Sequence, residues 1–392
     1  MFAGIIEMEI VFWLSVAVIV YTFGGYYVVL KILIFLRSPR RNILVFENYS
    51  AQSYPKVSIL VAAHNEEKVI KERILNLLEL NYPKEKLEII IASDGSTDRT
   101  VQIAQGYESS IIKILDFKNR RGKAITHNKA IKECSSEIIV FSDAETLFDS
   151  EFLTTSIRNF NDPHVGGVVG RLIYRTEDPT GISKSELSYW SYELNLRRLE
   201  SEIGILAVGT GACLVAMKKL IPILKKNEDM DDVYPYICRK KGYRIILEPN
   251  AIAYDRPPTS VKSELAYRVR GTAHGFTAVL RNWQIDDIIC HPVIFWEILS
   301  HRILRWLTPY FIILIFLSNL FLWNENLLYT SALLTQVLLY IAAFVGYLTQ
   351  KERRQLKFFS EIFTFCVANL GIMIGTIKAI LGRAPSSYEM PD

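Results

Sequence analysis

The chain has 392 residues, half of them hydrophobic, and a formal net charge of +4. This length is sufficient for more than one structural unit with a sizeable core. The basic residues form no cluster that is interleaved with aromatic residues, and this excludes a nucleic-acid partner. The five cysteines are scattered, with no pair at metal-ligand or redox spacing.

Apolar runs without charged residues lie on both sides of a charged middle region. Three such runs are 10–30, 306–323 and 327–350, and the run 362–377 is shorter but similar. A helix needs about 20 apolar residues to cross the hydrocarbon core of a bilayer. The sequence therefore predicts one transmembrane helix before the middle region and about three after it. A buried core helix is the alternative for any single run.

The charges beside these runs predict their orientation. The first run lacks the basic start and the small-residue cleavage site of a signal peptide, so a retained anchor is expected. Four basic residues follow it: Lys31, Arg37, Arg40 and Arg41. The positive-inside rule then predicts a cytoplasmic middle domain, in the cell membrane. The C-terminus stays open, because a full fourth crossing puts it outside, whereas Lys378 and Arg383 favour the inside. A broken or re-entrant last segment would reconcile the two.

Residues 57–147 alternate continuous apolar runs with helical patterns. This alternation predicts βαβ units and a parallel sheet that is covered on both faces. Ligands of such sheets bind beyond the carboxyl ends of the strands. Three polar clusters fall there: His64-Asn65-Glu66, Asp94-Gly95-Ser96 and Asp143-Ala144-Glu145. A helix start or a glycine turn with an N-cap would explain any one cluster, but three equivalent positions favour a site. Neither GxGxxG after the first run nor GxxxxGK[ST] is present, which disfavours dinucleotide and P-loop sites.

The third cluster ends the stretch "IIVFSDAET" in two carboxylates. Side chains two residues apart lie on the same side of an extended chain, so Asp143 and Glu145 are expected to act together. Hard oxygen ligands of this kind suit Mg²⁺ or Mn²⁺, with phosphate as a further ligand. The cationic stretch "NRRGK", residues 119–123, lies on the loop before the next helix. The predicted substrate is a nucleotide with a diphosphate leaving group.

The ordered motifs "VSILVAAHNEE", "SDGSTDRT", "GKAITHNKA" and "FSDAET" resemble those of the inverting family-2 glycosyltransferases. The membrane-integrated branch, which includes cellulose, hyaluronan and poly-N-acetylglucosamine synthases, is the most similar. The resemblance continues through "GTGACLVA" and "RVRGTAHG" and covers roughly residues 55–383. It implies an α/β GT-A (Rossmann-like) domain with a mixed sheet and amphipathic interface helices. The expected boundaries are 1–36 N-terminal transmembrane helix, 37–54 linker, 55–255 GT-A domain, 256–307 interface helices, 308–383 C-terminal transmembrane helices and 384–392 tail.

The resemblance also implies roles for single positions. The residues expected to bind the nucleotide-sugar are Ala62, His64, Asn65, Glu66, Asp94, Lys123, Asp143, Arg268 and Arg270. Asp94 matches the aspartate that reads the base. Asp143 and Glu145 match a metal motif that is usually Asp-x-Asp, and Glu145 is still a carboxylate. The residues expected on the acceptor side are Gly209, Gly211 and Ala212.

The general base of these enzymes is an aspartate at a helix start, ahead of a Gly-Tyr-Arg strand. Four acidic residues are candidates: Glu228, Asp229, Asp231 and Asp232. The family spacing, counted back from Gly242, favours Asp231, with Asp232 as the alternate. An inverting transfer needs one carboxylate to take the proton of the attacking hydroxyl. The plainer interpretation is that these acidic residues stabilise the start of a helix.

The stretch 267–271 departs from the family pattern. Polymer-forming members carry Gln-x-x-Arg-Trp on an interface helix, whereas Tyr267 and Gly271 replace the Gln and the Trp here. The retained arginine can hold a diphosphate through bidentate contacts. The lost Trp removes a stacking platform for an acceptor sugar, which favours addition of one or a few sugars over processive synthesis.

Residues 291–307 predict an amphipathic helix. Glu297, His301 and Arg305 fall on one helical stripe, with apolar residues elsewhere. Such a helix is expected to lie against the membrane, and an amphipathic core helix is the alternative. If the membrane forms the floor of the site, the expected acceptor is a lipid-linked molecule or a nascent glycan chain that is extruded.

The sequence thus predicts a membrane-bound inverting glycosyltransferase that acts in extracellular or capsular glycan synthesis. Its expected partners are a nucleotide-diphospho-sugar, foremost a UDP-sugar, a glycan or lipid acceptor, membrane lipids and a second copy of the chain. One alternative is a lipid glycosyltransferase that adds a single sugar, as ceramide and diacylglycerol glucosyltransferases do. Another is a catalytically silent, glycan-binding membrane subunit, which the intact set of carboxylates disfavours.

Overall fold

The structure is a computed structural model that describes residues 2–36, 54–176, 180–349 and 356–385. The predicted linker lies outside these ranges except for its last residue, as do residues 386–392 of the predicted tail. The basic residues Arg37, Arg40 and Arg41 also lie outside the described residues.

The middle of the chain folds around one mixed, eight-stranded sheet. Its strands are β1 Val57–Ala63, β2 Leu87–Asp94, β3 Ile112–Phe117, β4 Ile138–Asp143, β5 Leu147–Phe148, β6 Val165–Tyr174, β7 Leu214–Met217 and β8 Arg244–Asp255. Their spatial order is β3-β2-β1-β4-β7-β6-β8-β5. Neighbouring strands among β1 to β4 pair in parallel, which confirms the predicted parallel region. Strand β7 is antiparallel to β4 and to β6, so the sheet is mixed.

Helices cover both faces of the sheet and continue towards the two ends of the chain. They are α1 Phe2–Val20, α2 Tyr26–Leu36, α3 Ile70–Leu78, α4 Thr100–Gln105, α5 Lys123–Glu133, α6 Phe152–Ile157, α7 Gly181–Ile203, α8 Met230–Lys240, α9 Val261–Asn282, α10 Ile285–Cys290, α11 Pro292–Ile298, α12 Leu304–Leu322, α13 Leu327–Thr349 and α14 Lys357–Ile380. A π-helical turn, Tyr21–Gly25, joins α1 to α2, and a second one, Leu299–Ile303, joins α11 to α12.

The apolar runs of the strands are continuous because both faces of the sheet are buried. In β1, Ile59 and Val61 belong to the core on one face, and Leu60 belongs to the core on the other. All three side chains are fully buried. A strand with both faces covered needs apolar residues at every position.

Four helical segments of the described chain are long and apolar enough to cross a membrane: Gly4–Leu36, Pro292–Leu322, Leu327–Thr349 and Lys357–Ile380. One precedes the α/β domain and three follow it, as the apolar runs predict. Large apolar side chains on these helices are exposed, among them Leu338 and Phe344. Exposed apolar surface of this extent indicates contact with lipid or with a protein partner.

The N-terminal anchor contacts the rest of the chain at both of its ends. At one end, Phe12 packs with Leu322 and Tyr329, at the far end of α12 and the start of α13. At the other end, Tyr26 and Leu30 are fully buried against α7. The anchor therefore extends from the end of α12 and the start of α13 to the α/β domain.

Helix α14 packs closely against α9. A Cβ atom at Gly371 would come within 2.7 Å of the Arg268 Cβ, and one at Gly375 within 2.8 Å of the Thr272 Cβ, so glycine permits the close approach. After α14 the chain reaches the α/β domain, where Asn227 Nδ2 donates a hydrogen bond to the Ala384 carbonyl over 2.9 Å. The end of α14 and the α/β domain are therefore neighbours.

Candidate active site

An open cavity of about 270 Å³ lies between the end of β4 and helices α7, α8, α9 and α12. Of the fifteen residues to which the sequence assigns a catalytic, nucleotide-sugar, metal or acceptor role, ten line it: Lys123, Asp143, Glu145, Gly209, Gly211, Ala212, Asp231, Asp232, Arg268 and Arg270. The other five lie at the neighbouring ends of β1 and β2, outside the cavity lining: Ala62, His64, Asn65, Glu66 and Asp94.

The loops that follow β1 and β2 are joined by hydrogen bonds. His64 Nδ1 lies 2.8 Å from the carbonyl oxygen of Asp94. Asn65 adopts a left-handed conformation with φ of 57°, and its Oδ1 accepts a hydrogen bond from the Thr97 N–H over 2.8 Å. Asn65 thus joins two loops instead of starting a helix, since α3 begins only at Ile70.

Asp94 holds the loop that leads into α5. Its buried carboxylate accepts hydrogen bonds from the backbone N–H groups of Arg121 and Gly122, over 2.7 and 2.8 Å. Gly95 has φ of +67°, and a Cβ atom there would lie 2.5 Å from a backbone nitrogen of the same loop. The loop places Lys123 at the start of α5. That Asp94 also reads the donor base stays a prediction.

Lys123 supplies the positive charge beside the carboxylates that end β4. It forms an ion pair with Asp143, which lies next to Ala62 in the register of β1 and β4. Burial alone would raise the pKa of Asp143, but the nearby Lys123 ammonium outweighs this effect, and the pKa is lowered. Asp143 is therefore ionised at neutral pH.

Several carboxylates crowd the space in front of this strand. Burial raises the pKa of Glu66 to about 7, and the charges of Glu145 and Asp143 add to the shift. Burial and the Asp143 charge also raise the pKa of Glu145. A hard divalent cation requires several negatively charged oxygen ligands close together, and these carboxylates provide them. The residues present therefore fit the predicted metal.

Asp255 belongs to the same group, although its role was not predicted from the sequence. Burial, followed by the charge of Glu145, raises its pKa to about 7. Its Oδ2 accepts a hydrogen bond from Thr146 Oγ1 over 3.2 Å. The signal was present in the sequence, because "AIAYD" is another apolar strand that ends in a carboxylate.

Three aspartates at the start of α8 have different environments. Asp229 Oδ2 lies 2.8 Å from His274 Nδ1, and Asp232 forms an ion pair with Arg302. The carboxylate of Asp231 has neither a hydrogen bond nor an ion pair with the described residues, and it lines the cavity. Burial, together with the charges of Asp232 and Asp229, raises the pKa of Asp231 to about 6. A carboxylate with these properties is suited to take a proton near neutral pH.

Two glycines keep the Asp231 carboxylate accessible. The Gly209 N–H donates to the Asp231 carbonyl oxygen over 3.0 Å. A Cβ atom at Gly211 would lie only 3.0 Å from Asp231 Oδ1. Ala212 follows, and its carbonyl oxygen accepts a hydrogen bond from Ser142 Oγ over 3.0 Å, which fixes this turn against β4. The small residues expected on the acceptor side thus lie beside the candidate base.

The two arginines of the α9 motif differ in their surroundings. Arg268 forms ion pairs with Glu186 and with Glu264, the latter over 2.8 Å. Its charge is therefore compensated within the protein. Arg270 lines the cavity and lies near enough to Asp143 to lower its pKa. Donor binding by either arginine stays a prediction.

Trp306, at the start of α12, lines the cavity and was not predicted from the sequence. Its ring lies against Gly275, where a Cβ atom would come within 2.8 Å of Trp306 Cζ2. The Arg302 guanidinium lies 5.6 Å from the ring centroid. At Gly271, where the family Trp is missing, a Cβ atom would meet nothing within 4 Å. An aromatic residue is thus present at the cavity, but it comes from a different helix.

The polar stripe of 291–307 faces inwards, towards α7. Glu297, His301 and Arg305 are all buried, and Arg305 Nη1 lies 2.5 Å from Glu193 Oε2. The stripe therefore contacts the α/β domain. Contact of the opposite face with the membrane interface stays a prediction.

Comparisons with known proteins agree with this arrangement. Residues 58–222 match the sequence model of glycosyl transferase family 2. The poly-beta-1,6-N-acetyl-D-glucosamine synthase of Staphylococcus aureus is 28% identical over 233 residues, which are 58% of this chain and 56% of that protein. The corresponding synthase of Staphylococcus epidermidis is 26% identical over 255 residues, 64% of this chain and 61% of that protein. The chain thus spans little more than half the length of these relatives.

Among solved structures, the mannosyltransferase PcManGT from Pyrobaculum calidifontis, in complex with GDP-Man and Mn²⁺, superposes with a TM-score of 0.68. It is 20% identical, and the match covers 95% of this chain and 99% of that one. The likeness confirms the predicted GT-A fold. Over residues 58–222, the match to the family-2 sequence model and the GT-A fold therefore agree.

Proposed function

We propose that this chain is a membrane-bound inverting glycosyltransferase that transfers a sugar from a nucleotide-diphospho-sugar to a glycan at the membrane surface. The observation that carries the proposal is the unpaired Asp231 carboxylate. It faces a cavity that also holds the carboxylates of β4 and the arginine of the α9 motif. The synthase activity of the staphylococcal relatives supports extracellular polysaccharide as the product.

In the proposed reaction, Asp231 takes the proton of the acceptor hydroxyl. The acceptor oxygen bonds to the anomeric carbon as the bond from that carbon to the diphosphate oxygen breaks. Attack from the face opposite the leaving group inverts the configuration. Lys123 and Arg270 line the cavity and would hold the diphosphate. The raised pKa of Asp231, about 6, lets it accept a proton while remaining mostly ionised at neutral pH.

A divalent metal is part of the proposal, and its ligands would be Asp143 and Glu145, with Asp255 close to them. When bound, it supplies positive charge to the departing diphosphate. The donor set consists of carboxylates, which suits Mg²⁺ or Mn²⁺. The Mn²⁺ and GDP-Man of the mannosyltransferase structure are consistent with such a site in the same fold.

The acceptor side of the cavity supports a sugar as acceptor. Its aromatic lining comes from three helices and one strand: Tyr174, Tyr189, Trp190, Tyr267 and Trp306. Pyranose rings stack on aromatic faces through their apolar C–H surface, and the Trp306 ring lies 5.6 Å from Arg302, which pairs with Asp232 beside the base. Ile372 of α14 extends the lining towards the membrane helices. A glycan end held near the membrane fits this lining.

We further propose that the catalytic domain is cytoplasmic and that α14 lies along the membrane surface. Its start contacts the end of α13, where a Cβ atom at Gly346 would meet the Phe359 backbone, and its second half runs along α9. The residues that follow contact Asn227 and His274 of the catalytic domain. Three crossings then put the C-terminus on the cytoplasmic side, in agreement with Lys378 and Arg383. A C-terminal tag that is cleaved by protease in intact cells would contradict this topology.

The function is tested with membranes that contain the full chain. They are incubated with a panel of radiolabelled UDP- and GDP-sugars, and the product is sorted into lipid-soluble and polymer fractions. We expect one UDP-sugar to label a glycan fraction, with no labelling in membranes of the Asp231→Asn variant. Label in the lipid fraction alone would favour a lipid glycosyltransferase. No incorporation from any donor would favour the silent subunit.

A further inference from the structure

A cluster of buried donor atoms lies below the cavity, where the anchor helix, α7 and α11 meet. Glu200, Glu297 and His301 each offer one ligand atom, and these atoms lie within 4.8 Å of one another. Glu200 and Glu297 are fully buried, and His301 is 2% exposed. Glu297 and His301 belong to a segment apolar enough to span a membrane, where ionisable residues are costly and mark functional sites.

Glu297 lacks the partners that a buried carboxylate requires. The Ala207 backbone lies near the Glu297 carboxylate, but no hydrogen bond of normal geometry from the described residues reaches either of its oxygens or Glu200 Oε2. The closest cationic contact of Glu297 is His301 Nδ1, 3.7 Å from its Oε1. That nitrogen is already engaged with Glu200 Oε1 at 2.7 Å. A buried carboxylate without donors is strongly destabilising unless a proton or a cation compensates it.

Side chains around the cluster hold its donor groups in place, as the residues behind the ligands of a metal site do. The other nitrogen of His301, Nε2, lies 2.9 Å from Glu193 Oε1. A carboxylate behind a histidine ligand fixes its tautomer, which leaves the lone pair on Nδ1, the nitrogen that faces Glu200. Tyr26, on the anchor helix, donates its hydroxyl to Glu200 Oε1 over 2.8 Å. His301 and Glu200, two of the three groups that would face the ion, are therefore positioned by side chains of other elements.

Two π-helical turns meet beside this cluster. The turn Leu299–Ile303 carries His301, and the turn Tyr21–Gly25 lies in the anchor helix. Their side chains touch, since the Tyr21 hydroxyl lies 2.8 Å from Ser300 Oγ. Single π turns inside α-helices occur frequently at functional sites. Here they bring the anchor and the α11–α12 segment into contact at the donor cluster.

We infer that Glu200, Glu297 and His301 form a second, structural site for a divalent transition metal. One imidazole with two carboxylates is a donor set for Zn²⁺, Mn²⁺ or Fe²⁺. Two ionised carboxylates and a neutral imidazole balance the charge of such an ion. Donors at about 2.2 Å from a metal are at most about 4.4 Å apart, so a small inward movement closes the site. The ion would fasten the membrane anchor to the floor of the active site.

The test measures metal content directly and does not depend on glycosyl transfer. Untagged full-length chain carrying Asp143→Asn and Glu145→Gln is purified in detergent, so that the proposed catalytic metal is removed. After desalting, elemental analysis should find about one divalent transition metal per chain. Adding Glu297→Gln or His301→Gln should abolish this content. Adding Glu264→Gln is the matched control, since Glu264 is a buried carboxylate that pairs with Arg268, and the metal should remain.

A second measurement applies if the cluster variants fail to fold. The parent chain is stripped with a chelator, and its thermal unfolding is recorded before and after addition of Zn²⁺ or Mn²⁺. Binding to the folded state alone should raise the midpoint by several degrees. Replacement by Co²⁺ should produce visible absorption bands. A parent chain with no metal above background, and with a midpoint that these ions do not change, would overturn the inference and leave a protonated Glu297 as the explanation.

Discussion

The two halves of the cavity are built differently. On the strand-end side, the loops after β1, β2 and β4 are held by short contacts between equivalent strand ends, such as His64 to Asp94. On the membrane side, the contacts join distant parts of the chain, such as Asp232 to Arg302 and Glu200 to His301. The geometry of the proposed donor side therefore follows from the parallel sheet, whereas the geometry of the proposed acceptor side depends on where the membrane helices dock. Changes on the two sides should then separate donor binding from acceptor use.

The largest effect is expected on the donor side, from Asp143→Asn. The change removes an ionised metal-ligand candidate and leaves Lys123 without its carboxylate partner. We expect turnover to be abolished and the nucleotide-sugar Kd to rise, while the protein remains folded in detergent. The matched control is Asp116→Asn on β3, since Asp116 pairs with the exposed Lys118 away from the cavity. Undiminished wild-type activity in excess EDTA would contradict the metal assignment.

Asp231→Asn should separate chemistry from binding. Loss of a general base typically costs 10²- to 10⁴-fold in rate, so the turnover should fall by at least about 100-fold. The donor Kd should stay unchanged, because Asp231 lies on the acceptor side. Asp232→Asn should be milder, since Asp232 is paired with Arg302. The reverse order of the two variants, measured as initial rates, would transfer the role of base to Asp232.

Trp306→Ala tests whether the membrane helix contributes to the acceptor site. An aromatic stacking contact is worth about 1 kcal/mol, so the KM for the acceptor should rise roughly fivefold. The donor Kd should not change. Trp323→Ala, at the exposed far end of α12, is the control and should have no effect on KM. An equal rise in both variants would mean that the helix, and not the ring, is responsible.

The pH profile reports on the Asp231–Asp232 pair. Asp231 acts only when it is deprotonated, so kcat/KM should rise with pH through about 6 in the wild type. The charge of Asp232 contributes to the raised pKa of Asp231, and Asp232→Asn should therefore move the rise to lower pH, by up to about one unit. Asp286→Asn, on the exposed side of α10, should leave the profile in place. An unshifted rise in Asp232→Asn would show that another group titrates.

The smallest effect is expected at Gly271, where the family Trp is missing. With no side chain to hold a growing glycan there, the wild type should release its product after one or a few additions. The position is open, so Gly271→Trp should be tolerated and should lengthen the product, whereas Gly271→Ala should not. Gel analysis with excess donor measures the product length. A high-molecular-weight ladder from the wild type, formed while most of the acceptor remains unused, would show that Trp306 or a neighbour already supports processive synthesis.

The residues on the strand-end side of the cavity were predictable from local sequence patterns. Asp143 and Glu145 were predictable because a buried apolar strand that ends in two carboxylates requires a nearby cation. The same signal at Asp255 was missed, because β8 lies far along the chain, and only the sheet order brings its end next to β4. Chain spacing and the family pattern selected Asp231. The ion pairs of its two neighbours provide an independent reason for that choice.

The sequence by itself determined the membrane helices, the parallel part of the sheet and the carboxylates at the strand ends. These follow from hydrophobic periodicity and from the fact that the ends of parallel strands meet at one edge. Only the tertiary structure decided which helix lines the acceptor side, where α14 ends and that the stripe of Glu297, His301 and Arg305 faces inwards. Periodicity shows that a helix has a polar face, but it does not show what that face meets. The partner of a buried charge is chosen by docking between elements about 100 residues apart, and no short stretch of sequence contains that information.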